Sequence, residues 1–140
     1  MMDSATRDAQ AFEFINSSNE GYNREVGQRG KNLSGGQKQR ISIARTLIKN
    51  PKILILDDSS SALDMETESK LQNSLKNRMK DSTVFLIAQR ISAVMDSDKI
   101  IVLDNGEIAA IGTHKELIKN CEIYRSIAIS QLGEEAVLNV

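Results

Sequence analysis

Apolar residues recur along this chain with two different periods, and the switches between them outline its elements. Ala5, Ala9 and Phe12 fall at i, i+4 and i+7, which predicts a helix over Ser4 to Ile15. From Asn16 to Asn32 the periodicity gives way to a stretch rich in Gly, Asn and Ser. Gly21, Gly27 and Gly30 mark turns there, predicting a loop of the kind that carries function. Ile41, Ala44, Leu47 and Ile48 form the apolar face of a second helix, which starts at Ser34 and runs to about Lys49, where Asn50-Pro51 stops it. Gln39 and Arg40 fall among its polar positions.

Ile53 to Leu56 is a continuous apolar run, the pattern of a parallel strand covered on both faces. Asp57 and Asp58 stand at its carboxyl end, where open α/β sheets place ligands. Asp64 caps a helix to about Met79, with Leu71, Leu75 and Met79 as its buried row and Glu66 and Glu68 complementing its dipole. Thr83 to Ala88 predicts a second strand, ending at Gln89-Arg90, and a short helix follows to Val94. A strand from Lys99 to Leu103, an Asn105-Gly106 turn and a return strand from Glu107 to Ile111 make a hairpin. Thr113-His114-Lys115-Glu116 is a capping box opening another helix, and a further helix runs through Ile123 to Ser130. The tail from Gly133 is expected to be loose.

Composition narrows the function classes. A chain of 140 residues is one domain's worth, able to bury roughly two thirds of its unfolded surface. Net charge is -1 and aromatic content 4%, without the basic surplus or stacking platform of a nucleic-acid binder, so no nucleic-acid partner is expected. The longest apolar runs are of strand length, far short of the roughly 20 residues that span a bilayer. No signal-peptide pattern is seen, and the chain itself is expected to be soluble. Cys121 is the one cysteine, so no disulfide forms within the chain, and a reducing cytosolic compartment fits.

The candidate chemistry centres on Leu33-Ser34-Gly35-Gly36-Gln37-Lys38-Gln39-Arg40. Ser34 is a good N-cap, and Gln37 stands where its side chain returns to the cap's own N–H. Gly35 and Gly36 remove the side chains that would block an anion, leaving exposed N–H groups and the positive end of the helix dipole beside the Ser34 hydroxyl. This is a phosphate receptor in outline.

The match runs further. L-S-G-G-Q-K-Q-R-I-S-I-A-R, then a hydrophobic strand ending in Asp57-Asp58, then S-A-L-D, closely resembles the ATPase domain of ATP-binding cassette (ABC) transporters. The resemblance covers the later part of that domain. It implies an α/β fold, an incomplete P-loop NTPase (RecA-like) parallel sheet with flanking helices and a C-terminal β-hairpin. Residues 1–50 would be the end of the helical subdomain with the signature helix, 51–132 the C-terminal part of the catalytic core and 133–140 a loose tail. No G-x-x-x-x-G-K-S/T occurs, so the Walker A cradle and its lysine are not in this chain. By itself the chain is therefore expected not to hydrolyse ATP.

The resemblance also assigns roles. Asp57 takes the Walker B position that helps hold Mg2+, and Asp58 the catalytic position where the family normally has Glu. Asp is one carbon shorter, roughly 1.5 Å, and a misplacement of about 1 Å costs on the order of a hundredfold in rate. Gln89 stands where the family's switch His contacts the γ-phosphate, and an amide cannot carry the imidazolium charge. The lone His114 lies inside a helix cap and reads as structural.

Two such domains dimerise head to tail in the family, so Ser34, Gly35, Gly36 and Gln37 would cap the ATP of a second ABC ATPase domain, with Asp64 at the dimer seam. Glu25 to Gly30 resembles the exporter loop that touches the transmembrane domains. An intact signature beside two altered catalytic positions resembles the degenerate half of a heterodimeric multidrug-type exporter, on the cytoplasmic face of the membrane. Two other readings stay open: a soluble ABC ATPase of DNA repair or translation, and a non-enzymatic module lending its signature to a partner ATPase.

Overall fold

A computed structural model describes residues 1–138, and these fall into two compact units that divide between Ile87 and Ala88. In the first, the order is α1 (Met2–Asp8), α2 (Phe12–Asn16), α3 (Gly35–Ile48), β1 (Ile53–Asp57), α4 (Met65–Arg78) and β2 (Thr83–Ile87). The second holds α5 (Ile91–Val94), β3 (Ile100–Asp104), β4 (Glu107–Gly112), α6 (His114–Asn120), α7 (Glu122–Leu132) and α8 (Glu134–Leu138). The expected α/β class is observed, with a small parallel sheet and an antiparallel hairpin.

In the first unit β1 and β2 pair in parallel, Ile53 opposite Thr83 through Asp57 opposite Ile87. Leu54 and Leu56 point into a core with Ala5, Ala9 and Ala11, with Ile43, Ala44 and Leu47 of α3, and with Leu63, Leu71, Leu75 and Met79. The sequence pattern predicted cover on both faces of β1, and this is corrected. Ile53 and Ile55 are 61% and 64% exposed, and Phe85 and Ile87 on the same face of β2 are also exposed. The unit's helices gather on the Leu54/Leu56 side, so an apolar run suited to two covers has one.

Two further expectations are adjusted. The single helix over Ser4 to Ile15 is broken into α1 and α2, because Gln10 adopts a left-handed φ of 57° and the Ala11 amide reaches back to the Thr6 carbonyl at 2.7 Å. On α3 the deeply buried isoleucine is Ile43, whereas Ile41 is half-buried. Arg78 ties the helices together, with Nη1 donating to Asp8 at 2.6 Å and Nη2 to the Leu47 carbonyl at 3.1 Å. α3 ends as expected, Lys49 serving as its C-cap and Asn50 turning left-handed at φ 46° ahead of Pro51.

In the second unit the Asn105-Gly106 turn takes positive φ at both residues, 49° and 82°, which is why that dipeptide closes the β3–β4 hairpin. The Thr113 capping box forms as predicted. His114 is buried, with Nδ1 2.8 Å from the Tyr124 hydroxyl and the rings edge to face, the structural part expected of it. Burial pushes the Tyr124 hydroxyl's pKa up. The loose tail is corrected in part, since Glu134–Leu138 is helical and Val137 is buried in this unit's core. Residues 139 and 140 lie outside the described residues.

Candidate functional site

The start of α3 is built as its sequence dictates. Ser34 is extended, with φ -67° and ψ 164°, and its Oγ accepts the Gln37 amide at 3.2 Å while Gln37 Oε1 accepts the Ser34 amide at 2.9 Å. Ser34 and Gly35 are exposed. The two glycines prove unequal. A Cβ on Gly36 would stand 2.9 Å from the Ala62 carbonyl oxygen and 3.3 Å from Leu63, whereas one on Gly35 would meet only the Ala62 methyl, at an ordinary 3.5 Å. Gly36 is thus required for the helix to lie against the Ser61-Ala62-Leu63 loop, and Gly35 is not required by packing.

Asp57 ends β1 beside Ile87, with its side chain exposed. Asp58 turns the chain out of the strand at a left-handed φ of 46°, a conformation that Asp tolerates better than most residues, and its amide donates to the Ile87 carbonyl at 3.0 Å. Asp64 caps α4, accepting from the Thr67 amide at 2.9 Å and the Thr67 hydroxyl at 2.8 Å. Those bonds, the amide's first, hold its carboxyl below the ordinary carboxylate value.

Gln89 belongs to the second unit, where its carbonyl accepts from Gln131 Nε2 at 2.8 Å and the same side chain's Oε1 accepts the Ile91 amide at 2.8 Å. In the loop before the signature, Asn32 ties the backbone, accepting from the Gly27 amide and donating to the Glu25 carbonyl, each at 3.0 Å. Glu25 and Arg29 remain exposed. The structure therefore brings Ser34 to Gln37, Asp57, Asp58 and Asp64 into one unit and carries Gln89 in the other.

Three residues of this region escaped the sequence reading. Ser60 and Glu68 are both buried, and the Ser60 hydroxyl donates to the Glu68 carboxylate, pinning the loop after Asp58 to α4. The position of Glu68 at the start of α4 suggests only a partner for the helix dipole. Gln39 reaches from α3 to the same loop. Its partners lie 19 to 23 positions away, so nothing local signals the contact.

For a metal, Asp57 offers one exposed carboxylate at a strand end, and no three His, Cys, Asp or Glu side chains gather among the described residues. A single carboxylate of this kind is compatible with Mg2+, which takes one or two carboxylates together with a nucleotide's phosphates.

Comparison with known proteins agrees with this architecture. The ABC transporter family model matches residues 3–61. "Putative multidrug export ATP-binding/permease protein YgaD" of Bacillus subtilis (strain 168) is 54% identical over 114 residues, covering 81% of this chain and 20% of that protein. "Multidrug resistance protein 3" of Entamoeba histolytica is 48% identical over 129 residues, 92% of this chain and 10% of that one. A solved bacterial Atm1-family ABC exporter with ATP bound superposes with a TM-score of 0.89 at 42% identity, over 95% of this chain and 24% of that one.

Fold and sequence together make this chain similar to the ATPase domain of ABC transporters. Within that class the likeness is to exporters, as the export ATP-binding/permease relatives and the exporter structure agree. The chain spans 10% to 20% of the length of the relatives named here. Among the described residues no helix is long and apolar enough to cross a membrane.

Proposed function

We propose that this chain is the C-terminal part of the ATPase engine of an exporter whose whole couples ATP binding and hydrolysis to transport across a membrane. In that engine it acts chiefly through its signature. The observation that carries the proposal is the start of α3, where Gly36 seats the helix against its loop while Ser34 and Gly35 stay exposed with no acidic residue in the first turn. Such an end presents backbone N–H groups, a hydroxyl and the positive pole of a 14-residue helix to an anion. The anion is the triphosphate held by a second ABC ATPase domain packed head to tail, with Asp64 at the seam.

Toward its own nucleotide the chain offers Asp57 as a magnesium ligand, Asp58 as the group that orients water and Gln89 as a neutral hydrogen-bonding residue. Bound Mg-ATP would supply the phosphoanhydride bond and a cation that offsets its charge. Asp58 is one carbon shorter than the family's Glu and Gln89 carries no charge, so this half contributes little hydrolysis and the complex is a heterodimer of unequal sites. The loop from Glu25 to Gly30, exposed and braced by Asn32, supports the reading in which it meets the transmembrane domains and the chain lies on the cytoplasmic face. Export and permease wording in the relatives' names supports this over a soluble repair or translation ATPase. Without a Walker A cradle the chain alone does not turn over ATP.

The test is steady-state ATPase activity of the full-length transporter assembled with its partner. Gly35→Asp sets a carboxylate against the partner's phosphates and lowers turnover on the order of a hundredfold or more. Asp58→Ala leaves it within about twofold, because removing a weak contributor changes a rate sum little. Equal damage from the two substitutions would show a working catalytic site here and end the unequal-sites reading.

A further inference from the structure

Gln39 sits on α3 just beyond the capping box, yet its carboxamide makes its bonds outside its own helix. Nε2 donates to the Asp58 carbonyl at 3.4 Å and to the Ser61 hydroxyl at 3.1 Å, and Oε1 accepts the Ala62 amide at 3.1 Å. One side chain thereby holds both ends of the turn that follows β1. Asp58 is in the left-handed region with its amide committed to Ile87, and its carbonyl also accepts from the Ser61 amide at 3.5 Å and hydroxyl at 3.1 Å, so the turn is closed on itself and Gln39 is the group that joins it to α3. Steric contact supplies the complement, with Gly36 against Ala62 on the same face. Van der Waals contact alone tolerates sliding. A planar amide that donates on one side and accepts on the other fixes register.

We infer that Gln39 is a positioning residue that fastens the start of α3 to the Asp58–Ala62 turn. Through it the Ser34–Gly36 end and the Asp57–Asp58 end of this chain move as one body. The inference rests on the reading of those two ends as nucleotide-facing. A pull exerted on the signature by the partner's nucleotide then reaches the backbone of Asp58, and the reverse holds equally. Leucine at this position would keep the volume and lose every bond. Glutamate would keep the acceptor for Ala62 and turn an acceptor toward the Asp58 carbonyl.

The first arm of the test uses this chain without nucleotide. Amide hydrogen exchange followed by NMR is expected to show Ala62 exchanging at least about fivefold faster in Gln39→Leu, the loss of one ordinary hydrogen bond. Thr67, capped by Asp64, should be unchanged and reports that the fold is intact. In Gln39→Glu the Ala62 protection should remain.

The second arm uses the full-length transporter with its partner. Gln39→Leu and Gln39→Glu are both expected to lower kcat about tenfold with KM for ATP within about twofold, because a loosened Ser34–Gly36 end no longer meets the partner's phosphates in register; that is lost positioning with retained binding. Unchanged Ala62 exchange in Gln39→Leu would overturn the inference, as would a rise in KM that accounts for the whole loss, or kinetics equal to wild type. A wild-type transporter without ATP turnover would instead overturn the nucleotide reading, and the exchange arm would still decide whether Gln39 fastens the turn.

Discussion

Two helices of this protein open with the same capping box, and they leave their positive ends in opposite states. At α3 the pair is Ser34 with Gln37; at α6 it is Thr113 with Glu116, whose carboxylate accepts the Thr113 amide at 2.8 Å and hydroxyl at 3.0 Å. The reciprocal hydrogen bonds form in both, so the difference lies in charge. Glu116 supplies α6 with its own anion, and the Thr113 amide first, then its hydroxyl, hold that carboxyl below its ordinary 4.5. Gln37 accepts the Ser34 amide alone, with the oxygen of a neutral carboxamide, and α3 has no acidic residue in its first turn. One helix end is electrostatically closed; the other is open to an anion from outside. A box whose third position is neutral and whose first helical position is an exposed glycine reads as a receptor, and the charged version reads as a stop.

The sharpest way to break that comparison is to close the open end. Gln37→Glu keeps the capping geometry and adds the carboxylate that α6 already has. It is expected to lower the turnover of the assembled transporter on the order of a hundredfold through like-charge repulsion of the phosphates. The same change should stabilise this chain by about 0.5 kcal/mol, because the new charge complements the helix dipole. Opposite signs in ATPase assay and urea unfolding support the comparison; activity retained would break it.

A smaller effect separates the two glycines. Gly36→Ala drives a methyl into the Ala62 carbonyl and is expected to cost about 1–3 kcal/mol by urea unfolding, the usual range for overpacking. Gly35→Ala meets only ordinary contact and should be neutral or stabilising by up to about 1 kcal/mol, reflecting the helix preference for Ala. Equal costs would mean that the seating of α3 on the loop is not what demands Gly36.

The smallest effect is the acid dependence of the closed end. Glu116 has a folded pKa below its unfolded value, so its contribution is fully present above 4.5 and is lost as pH falls through the folded value. Glu116→Gln should therefore reduce stability slightly at neutral pH and flatten that part of the acid limb. Gln37→Ala, removing a neutral partner, should lower stability by the same amount at pH 7 and pH 4. Chemical unfolding of both variants across that interval checks the pair.

Much of the site is visible in the order of residues. Each capping bond joins residues three apart, so Ser34 with Gln37, Asp64 with Thr67 and Thr113 with Glu116 need only local geometry. The Asn105-Gly106 hairpin is legible for the same reason. Less visible are the break at Gln10 and the exchange of Ile41 for Ile43 at the deepest point of α3, since both depend on what packs against those helices. The placement of Glu68 misled for a related reason. At the start of a helix a glutamate suits the dipole, and only the buried Ser60 hydroxyl shows that it holds a loop.

By itself, then, the sequence determined the helix start at Ser34, the strand ending at Asp57, the capped helix after Asp64 and the exporter-type ABC ATPase resemblance. These rest on short-range hydrogen bonding and on motif order. Tertiary structure alone decided that Gly36 is needed by the Ala62 carbonyl while Gly35 is free of it, that Gln39 grips the turn at Asp58, and that β1 is covered on one face. Each of these depends on atoms brought together from distant parts of the chain. Such contacts arise when the Leu54/Leu56 face of β1 buries itself against α1, α3 and α4, and local periodicity carries no record of which surfaces meet.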